Sequence, residues 1–233
     1  MSEEFDKQFW EGRYGDHASL WVRQPNPQLV AEASALPPGT ALDAGCGEGA
    51  DAIWLASHGW QVTAVDFAGT ALNRARERAD SLGTEIPKPI DWVEADLTSW
   101  QPPPGRFDLV TSHYVHLTEP RHAYLERLGN AVAPGGLLLV VDHHPAEERP
   151  SGFAAAADGA VTAERIADGL DPRVWQVTVA DSRTRTVAAG HHRHGGPEAD
   201  PDGRPAAEAD EHGGHEHRQT VISDVVLAAR RRL

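Results

Sequence analysis

The chain has 233 residues and a formal net charge of −14, and 40% of its residues are hydrophobic. This length suits one domain of ordinary size with a buried core, and the acidic balance argues against a nucleic-acid partner, because phosphate backbones bind basic surfaces. The single cysteine, Cys46, excludes an internal disulfide, and the acidic start without an apolar segment predicts a soluble, cytoplasmic protein that contacts no membrane.

Helix and strand patterns alternate along the first part of the chain. Residues 1–38 are predicted to form a helical N-terminal cap, with helices over 5–14 and 27–36, before Pro37-Pro38-Gly39 breaks the chain. The predicted strands cover 40–44, 60–65, 90–94, 107–112 and 136–142, and the predicted helices cover 49–58, 69–82 and 119–132. This alternation predicts a parallel sheet with helices on both faces.

The pattern changes after residue 142. A short helix is predicted over 162–170, with Thr162 as its N-cap, and long strands are predicted over 174–187 and 220–229. Two strands joined directly in sequence are most simply antiparallel. We therefore predict a single α/β domain over 1–233, a Rossmann-like doubly wound fold whose mostly parallel, seven-stranded sheet ends in an antiparallel C-terminal hairpin.

Three glycines at alternate positions separate the first predicted strand from its helix. Gly45, Gly47 and Gly49 let the backbone turn tightly and approach a ligand, and the following helix N-terminus offers free N–H groups. Asp66 ends the next predicted strand, where its carboxylate can accept hydrogen bonds from both hydroxyls of a ribose. The pattern predicts a site for a nucleoside cofactor.

Two kinds of nucleoside cofactor fit this loop. Gly45, Gly47 and Ala50 satisfy the dinucleotide pattern G-x-G-x-x-G/A, whereas Gly45, Gly47 and Gly49 satisfy the G-x-G-x-G of S-adenosylmethionine (SAM) enzymes. Asp43 separates the two, because a dinucleotide-binding strand is buried on both faces and usually stays apolar up to its first glycine. A carboxylate at this position is useful beside the ammonium of a methionine moiety, so Asp43 favours SAM over a nicotinamide dinucleotide.

With these motifs the chain resembles the class I SAM-dependent methyltransferases over nearly its whole length. Residues 43–49 resemble their first motif, Asp66-Phe67 the ribose-binding acid, and residues 94–97 (Glu-Ala-Asp-Leu) the adenine-binding motif. Residues 107–110 are similar to the fourth strand and residues 133–136 to the turn before the fifth. The cofactor-binding residues that the resemblance implies are Asp43, Gly45, Cys46, Gly47, Gly49, Asp66, Phe67, Asp96, Leu97, Ser112 and His113.

Within this family the chain resembles the small-molecule enzymes of the thiopurine and tellurite-resistance types. The aromatic segment over residues 9–14, followed by Trp21, carries this resemblance, and it implies that Trp10, Tyr14 and Trp21 fold over the cofactor, with ordinary packing as the alternative. Residues 111–114 (Thr-Ser-His-Tyr) stand where base-methylating enzymes carry Asn/Asp-Pro-Pro-Tyr/Phe, which argues against DNA or RNA substrates. We expect methyl transfer to a small molecule through a sulfur, selenium or metalloid, oxygen or nitrogen nucleophile.

Histidines and an acid follow the predicted fourth and fifth strands, at the end of the sheet where this architecture binds ligands. Because histidine titrates near neutral pH, His113 or His116 is predicted to act as the base or to orient the acceptor, with loop hydrogen bonding or a passive cofactor contact as the alternative. Of the adjacent His143 and His144, at most one can face the pocket. Asp142, His113 and either of these two histidines are a further option for a divalent-metal site.

The predicted hairpin carries an insert over residues 188–218 without one Val, Ile, Leu, Met, Phe, Tyr, Trp or Cys. Such a stretch cannot bury a core and is predicted to be flexible. Its imidazoles and carboxylates suit zinc, nickel or copper, so the alternative function is a non-catalytic SAM- or metal-binding module that senses or stores a divalent metal. The candidate metal ligands are His191, His192, His194, His212, His215 and His217. A solvated low-complexity hairpin that binds no metal is the alternative for this insert.

Overall fold

The computed structural model describes residues 7–16, 24–83, 89–116, 120–144, 162–188 and 219–233. The helices of these parts are α1 (Lys7–Asp16), α2 (Pro27–Ala33), α3 (Ala50–Ser57), α4 (Gly69–Leu82), α5 (Arg121–Ala131) and α6 (Ala163–Asp168). The strands are β1 (Thr40–Ala44), β2 (Gln61–Asp66), β3 (Asp91–Glu94), β4 (Phe107–His113), β5 (Val132–His143), β6 (Trp175–Ala188) and β7 (Gln219–Arg231).

The strands form one seven-stranded sheet in the order β3-β2-β1-β4-β5-β7-β6. Strands β1 to β5 are parallel to one another, and β7 lies antiparallel between β5 and β6. The strand order reverses between β1 and β4, and in open α/β sheets the crevice outside the carboxyl ends of the strands at such a reversal is where ligands bind. The predicted α/β architecture, with its antiparallel C-terminal hairpin, is confirmed.

The largest difference from the predicted elements is at the start of β5, which begins at Val132 rather than at residue 136. Val132 pairs with Phe107, and after an irregularity in the register Leu137 pairs with Leu109. Gly135 takes a left-handed backbone with φ +80° inside this irregularity. The Pro-Gly-Gly segment that predicts a turn is therefore accommodated as a bulge-like irregularity within the strand.

The sheet buries an apolar core on each face, and the two faces receive alternate residues of each strand. Leu138 of β5 packs with Tyr124 of α5 on what we call the α5 face. Leu139 of β5 packs with Leu55 of α3 on the opposite, or α3, face. This alternation continues to the carboxyl ends of the strands, so it decides which functional side chains can meet.

Helix α1 packs over the start of α4 at the same end of the sheet. Trp10 and Tyr14 lie in an apolar cluster with the first residues of α4, and the carboxylate of Glu11 accepts the backbone N–H groups of Gly69 at 2.6 Å and Thr70 at 3.1 Å. Glu11 thereby satisfies two of the free N–H groups that every helix N-terminus leaves. Helix α1 is thus held against the sheet at its ligand-binding end.

Candidate active site

The loop between β1 and α3 turns through three glycines with left-handed backbone, at φ +82° for Gly45, +51° for Gly47 and +76° for Gly49. Residues with a Cβ adopt this region at a cost of about 1–2 kcal/mol, which explains the glycines. The N–H groups of Gly45 and Cys46 both donate to the carbonyl of Val65 on β2, at 2.8 and 3.0 Å. The loop is thereby tied to β2 while it leads into the N-terminus of α3.

Neighbouring side chains pack closely against these glycines. A Cβ at Gly49 would lie 2.7 Å from Cη2 of Trp92 and 2.8 Å from Cβ of Ala75, closer than atoms approach in proteins. A Cβ at Gly47 would lie 3.1 Å from the hydroxyl oxygen of Tyr14. The loop therefore forms a glycine cradle, residues 45–49, in which the backbone itself is the surface that a ligand would meet.

Asp66 closes one side of this cradle from the end of β2 and is only 6% exposed. Its Oδ2 accepts the N–H of Gly47 and its Oδ1 accepts the N–H of Ala68, both at 2.9 Å. Burial raises the pKa of Asp66, and the donors at Ala68 and Gly47 oppose this increase. Each carboxylate oxygen accepts through two lone pairs, so Asp66 retains the capacity to bind two ribose hydroxyls.

Asp43 of β1 lies on the α3 face and is 2% exposed. Its Oδ1 accepts the hydroxyl of Thr111 at 3.2 Å, whereas Oδ2 has no hydrogen-bond partner among the described residues. Burial raises the pKa of Asp43 to about 7, and the nearby Asp51 carboxylate adds to this increase. A buried acceptor without a donor is destabilising, and a cation such as the ammonium of a methionine moiety would satisfy it. These residues fit the SAM predicted from the sequence.

The other residues predicted to bind the cofactor lie around the cradle. The exposed Asp96 accepts the N–H and hydroxyl of Thr98 through Oδ1, at 2.8 and 2.7 Å, and so closes an Asx turn. Leu97 packs against the core on the α5 face, and Phe67 packs against the aromatic cluster of α1. Burial raises the pKa of the Cys46 thiol well above its usual range. The adenine-binding role of Asp96 and Leu97 stays a prediction.

His113, the last residue of β4, lies against Asp51 in the first turn of α3. Nδ1 of His113 is 2.6 Å from Oδ2 of Asp51, and Oδ1 of Asp51 accepts the backbone N–H of Asn26 at 2.6 Å. The His113 side chain is 5% exposed, and its Nε2 has no hydrogen-bond partner in the part of the chain that the structure describes. This arrangement leaves one buried imidazole nitrogen without a partner at the carboxyl end of β4.

The second predicted histidine takes a different position. The ring of His116 stacks on Trp10 of α1, with ring centroids 5.5 Å apart and planes inclined by 21°. Trp10 and Tyr14 are both buried, and the hydroxyl of Tyr14 lies above Gly47. Helix α1 therefore lies over the glycine cradle. That Trp10 and Tyr14 contact the cofactor stays a prediction, and Trp21 lies outside the described residues.

Asp142 and Ser112 lie on the α5 face. Asp142 forms an ion pair with Nη2 of Arg121 at 2.7 Å, and the hydroxyl of Ser112 hydrogen-bonds that of Tyr124 at 2.9 Å. The optional metal site built from Asp142 and His113 is therefore wrong, because strand alternation directs these two side chains to opposite faces. The described residues contain no group of three His, Cys, Asp or Glu side chains that could hold a metal ion.

A buried polar network joins the end of β4 to the C-terminal hairpin. Tyr114 has φ +54°, the one left-handed backbone among the described residues other than glycine. Its hydroxyl donates to Oδ1 of Asp224 at 2.8 Å, and Arg185 donates to the same hydroxyl at 3.0 Å and to Oδ2 of Asp224 at 2.9 Å. The ring of Tyr114 stacks on His143, with centroids 4.4 Å apart. The hairpin thus fixes the residue that follows His113.

The site residues that were not predicted from the sequence include Asp51 as the partner of His113, Glu11 as the cap of α4, and Arg185 in the hairpin network. The sequence did carry a signal for Asp51. It lies in the first turn of the helix that follows β1, and β1 is adjacent to β4 in the sheet, so Asp51 lies near the end of β4, where His113 is found. The other two depend on packing between distant segments, and the sequence carries no local pattern for them.

The six candidate metal ligands of the insert lie outside the described residues, so the metal site there stays a prediction. The strands that flank the insert, β6 and β7, meet at the carboxyl end of the parallel strands, since β6 runs parallel to β5. Within the described parts of the chain, no helix is both long and apolar enough to cross a membrane.

Comparison with known proteins bears on this site. Residues 41–136 match the family described as "Methyltransferase domain". An uncharacterized methyltransferase of Mycobacterium tuberculosis is 40% identical over 109 residues, which are 46% of this chain and 52% of the relative. The Arabidopsis thaliana protein named "Probable thiol methyltransferase 2" is 30% identical over 149 residues, 61% of this chain and 64% of that protein. The chain thus spans about half the length of the mycobacterial relative.

Solved structures share the fold. The protein solved in the work "Conversion of a Disulfide Bond into a Thioacetal Group during Echinomycin Biosynthesis" has a TM-score of 0.65 at 24% identity, and the alignment covers 97% of this chain and 93% of that one. TehB from Haemophilus influenzae has a TM-score of 0.59 at 15% identity, with 97% and 67% covered. This fold, the glycine cradle with Asp66 and the match over residues 41–136 together make the chain similar to the class I SAM-dependent methyltransferases and support that assignment.

Proposed function

We propose that this protein transfers the methyl group of SAM to a small-molecule acceptor. The observation that carries the proposal is the glycine cradle at the reversal of strand order, bordered by two buried carboxylates. Asp66 retains lone pairs for ribose hydroxyls, and Oδ2 of Asp43 lacks a donor among the described residues. Bound SAM would supply an electrophilic methyl group on a sulfonium, and the backbone N–H groups at the start of α3 face the same crevice.

The position of α1 over the cradle favours a small acceptor. Tyr14 lies above Gly47, and Trp10 stacks on His116 across the crevice. A protein or nucleic-acid chain would have to displace α1, which Glu11 holds to the start of α4 through two backbone N–H groups. Proximity and alignment of the acceptor in such an enclosed site can supply much of the rate of a methyl transfer.

The names of related proteins point to small acceptors of different chemistry. Besides the thiol methyltransferase of Arabidopsis thaliana, a trans-aconitate 2-methyltransferase of Rhodopseudomonas palustris is 32% identical over 121 residues. A ubiquinone biosynthesis O-methyltransferase of Xanthomonas campestris is 33% identical over 139 residues. Sulfur and oxygen acceptors therefore both belong in the first substrate screen.

The test is turnover of SAM with a defined set of acceptors. The untagged protein is incubated with SAM and benzyl mercaptan, 4-nitrobenzenethiol, 4-methylphenol, catechol, benzylamine or trans-aconitate, and S-adenosylhomocysteine (SAH) is measured by mass spectrometry. Asp66→Asn removes one acceptor oxygen from the ribose site, and Asp80→Asn makes the same change at an exposed position on α4.

We expect acceptor-dependent SAH from the wild type and from Asp80→Asn, and at least a tenfold loss of kcat/KM for SAM in Asp66→Asn, because hydrogen bonds to a charged group contribute about 1.5–3 kcal/mol. A protein that binds SAM and produces no SAH with any acceptor would instead be a non-catalytic SAM-binding module. A wild type that does not bind SAM would overturn the proposal altogether.

A further inference from the structure

The match to methyltransferases does not explain the hydrogen bond between His113 and Asp51. Asp51 is held from two sides, by Nδ1 of His113 and by the backbone N–H of Asn26, each at 2.6 Å. A carboxylate only accepts hydrogen bonds, so the proton of this contact belongs to Nδ1. The pair therefore selects the imidazole tautomer that carries its hydrogen on Nδ1 and a free lone pair on Nε2.

The free nitrogen has no role in holding the fold. Nε2 of His113 is buried and has no hydrogen-bond partner among the described residues, and leaving a buried polar atom without a partner is destabilising by about 1–3 kcal/mol. The neighbouring atom with the same property is Oδ2 of Asp43, on the same face of the sheet. Two unsatisfied buried acceptors at one crevice indicate a ligand that brings hydrogen-bond donors to them.

We propose that His113 is the general base that removes the acceptor's proton, and that Asp51 positions its imidazole; this inference rests on the proposed methyl transfer. The lone pair of the acceptor forms the new bond to the methyl carbon while the carbon–sulfur bond breaks and its electrons stay on sulfur. The acceptor's proton moves to Nε2 of His113, and the imidazolium so formed lies against the Asp51 carboxylate. A histidine held by a carboxylate through its other nitrogen is a recurring solution for proton transfer.

The tautomer of His113 restricts the acceptor further. Because Nε2 carries no hydrogen in this tautomer, it accepts a hydrogen bond and donates none. The acceptor class is therefore a molecule that brings an S–H, O–H or N–H group to Nε2, in contrast to the carboxylate in the name of the Rhodopseudomonas palustris relative.

The test compares acceptors that differ in whether they need a base. At pH 7 benzyl mercaptan is mainly a thiol, whereas 4-nitrobenzenethiol is mainly a thiolate and has no proton to lose. His113→Asn retains an N–H that can donate to Asp51 but lacks Nε2, and His122→Asn makes the same change at an exposed position on α5. General bases contribute about 10²–10⁴-fold, so His113→Asn should lose at least 100-fold in kcat on the thiol and less than tenfold on the thiolate.

Asp51→Asn tests the positioning role through the tautomer itself. An asparagine has one carbonyl oxygen for two donors, so its amide nitrogen is expected to face His113 and to move the imidazole proton to Nε2. Nitrogen-15 NMR of the imidazole with SAH bound reads this directly and needs no acceptor. The wild type should show the proton on Nδ1, and Asp51→Asn should show it on Nε2 with a loss of kcat rather than a change in KM for SAM.

Calorimetric titration with SAH separates this inference from the proposed function. If the wild type turns over neutral acceptors but His113→Asn loses SAH affinity in proportion to its rate, His113 is a cofactor contact and the base assignment is overturned. Equal rate losses on thiol and thiolate, or a wild-type proton on Nε2, would overturn it as well. Failure of the wild type to bind SAM or SAH would instead refute the proposed function on which the inference rests.

Discussion

At Gly49 the left-handed backbone of the cradle coincides with close packing by Trp92 and Ala75. Gly49→Ala places a Cβ at φ +76°, which costs about 1–2 kcal/mol of backbone strain. The same Cβ would lie 2.7 Å from Trp92 and 2.8 Å from Ala75, and overpacking a filled core costs about 1–3 kcal/mol more. We therefore expect Gly49→Ala to lower the free energy of unfolding by about 2–5 kcal/mol.

Urea unfolding followed by tryptophan fluorescence measures this loss. Substitutions at two other glycines separate the contribution of backbone strain from that of overpacking. Gly105 has φ +60° with nothing within 4 Å of its added Cβ, so Gly105→Ala should show the strain of about 1–2 kcal/mol alone. Gly12 lies inside α1 with the same open space, and Gly12→Ala should stabilise by about 0.5–1 kcal/mol. Equal losses for Gly49→Ala and Gly105→Ala would refute the packing of Trp92 and Ala75 against the cradle.

Three further changes have expected effects on stability, each measured by urea unfolding. Burial raises the pKa of Asp43 to about 7, so between about pH 4 and 7 its carboxyl keeps a proton in the folded chain that the unfolded chain has lost. The free energy of unfolding of the wild type should therefore fall as pH rises through this range. If the free energy of unfolding of Asp43→Asn depends on pH in the same way, this expectation is wrong. Arg121→Met leaves the buried Asp142 carboxylate unpaired and should destabilise by about 3–5 kcal/mol, an effect that the double change with Asp142→Leu should largely reverse. Glu11→Ala removes the cap of α4 and should destabilise by about 0.5–2 kcal/mol, whereas Glu77→Ala, at an exposed position within α4, should change stability by less than 0.5 kcal/mol.

Much of the fold could be predicted from the sequence because local patterns determine it. The Gly-rich loop and the alternation of apolar runs predict β1 over residues 40–44 and α4 over 69–82, and both have these bounds in the structure. The start of β5 could not be predicted in the same way. Pro134 and Gly135 have the chemistry of a turn, and the pairing of Val132 with Phe107, residues of two strands that meet only in the fold, keeps this segment in the sheet.

Many residues of the candidate site could be predicted from the sequence, but the contacts between them could not. Asp43, Asp66 and the glycines follow from one motif, and their positions depend on β1 and β2 alone. The contact of His113 with Asp51 joins residues 62 positions apart, and it requires both the adjacency of β1 and β4 and the face to which His113 points. The same alternation of faces separates Asp142 from His113, which spacing along the sequence does not reveal.

Calorimetric titration with SAH shows whether the cradle, Asp43 and Asp66 together hold SAM. Oδ2 of Asp43 has no hydrogen-bond donor among the described residues, and a hydrogen bond to a charged group contributes about 1.5–3 kcal/mol. We therefore expect one SAH site in the wild type, binding about tenfold to a hundredfold weaker in Asp43→Asn and unchanged in Asp80→Asn. Tighter binding of NAD⁺ than of SAH by the wild type, or equal SAH affinity in Asp43→Asn, would show that these residues do not hold SAM as inferred.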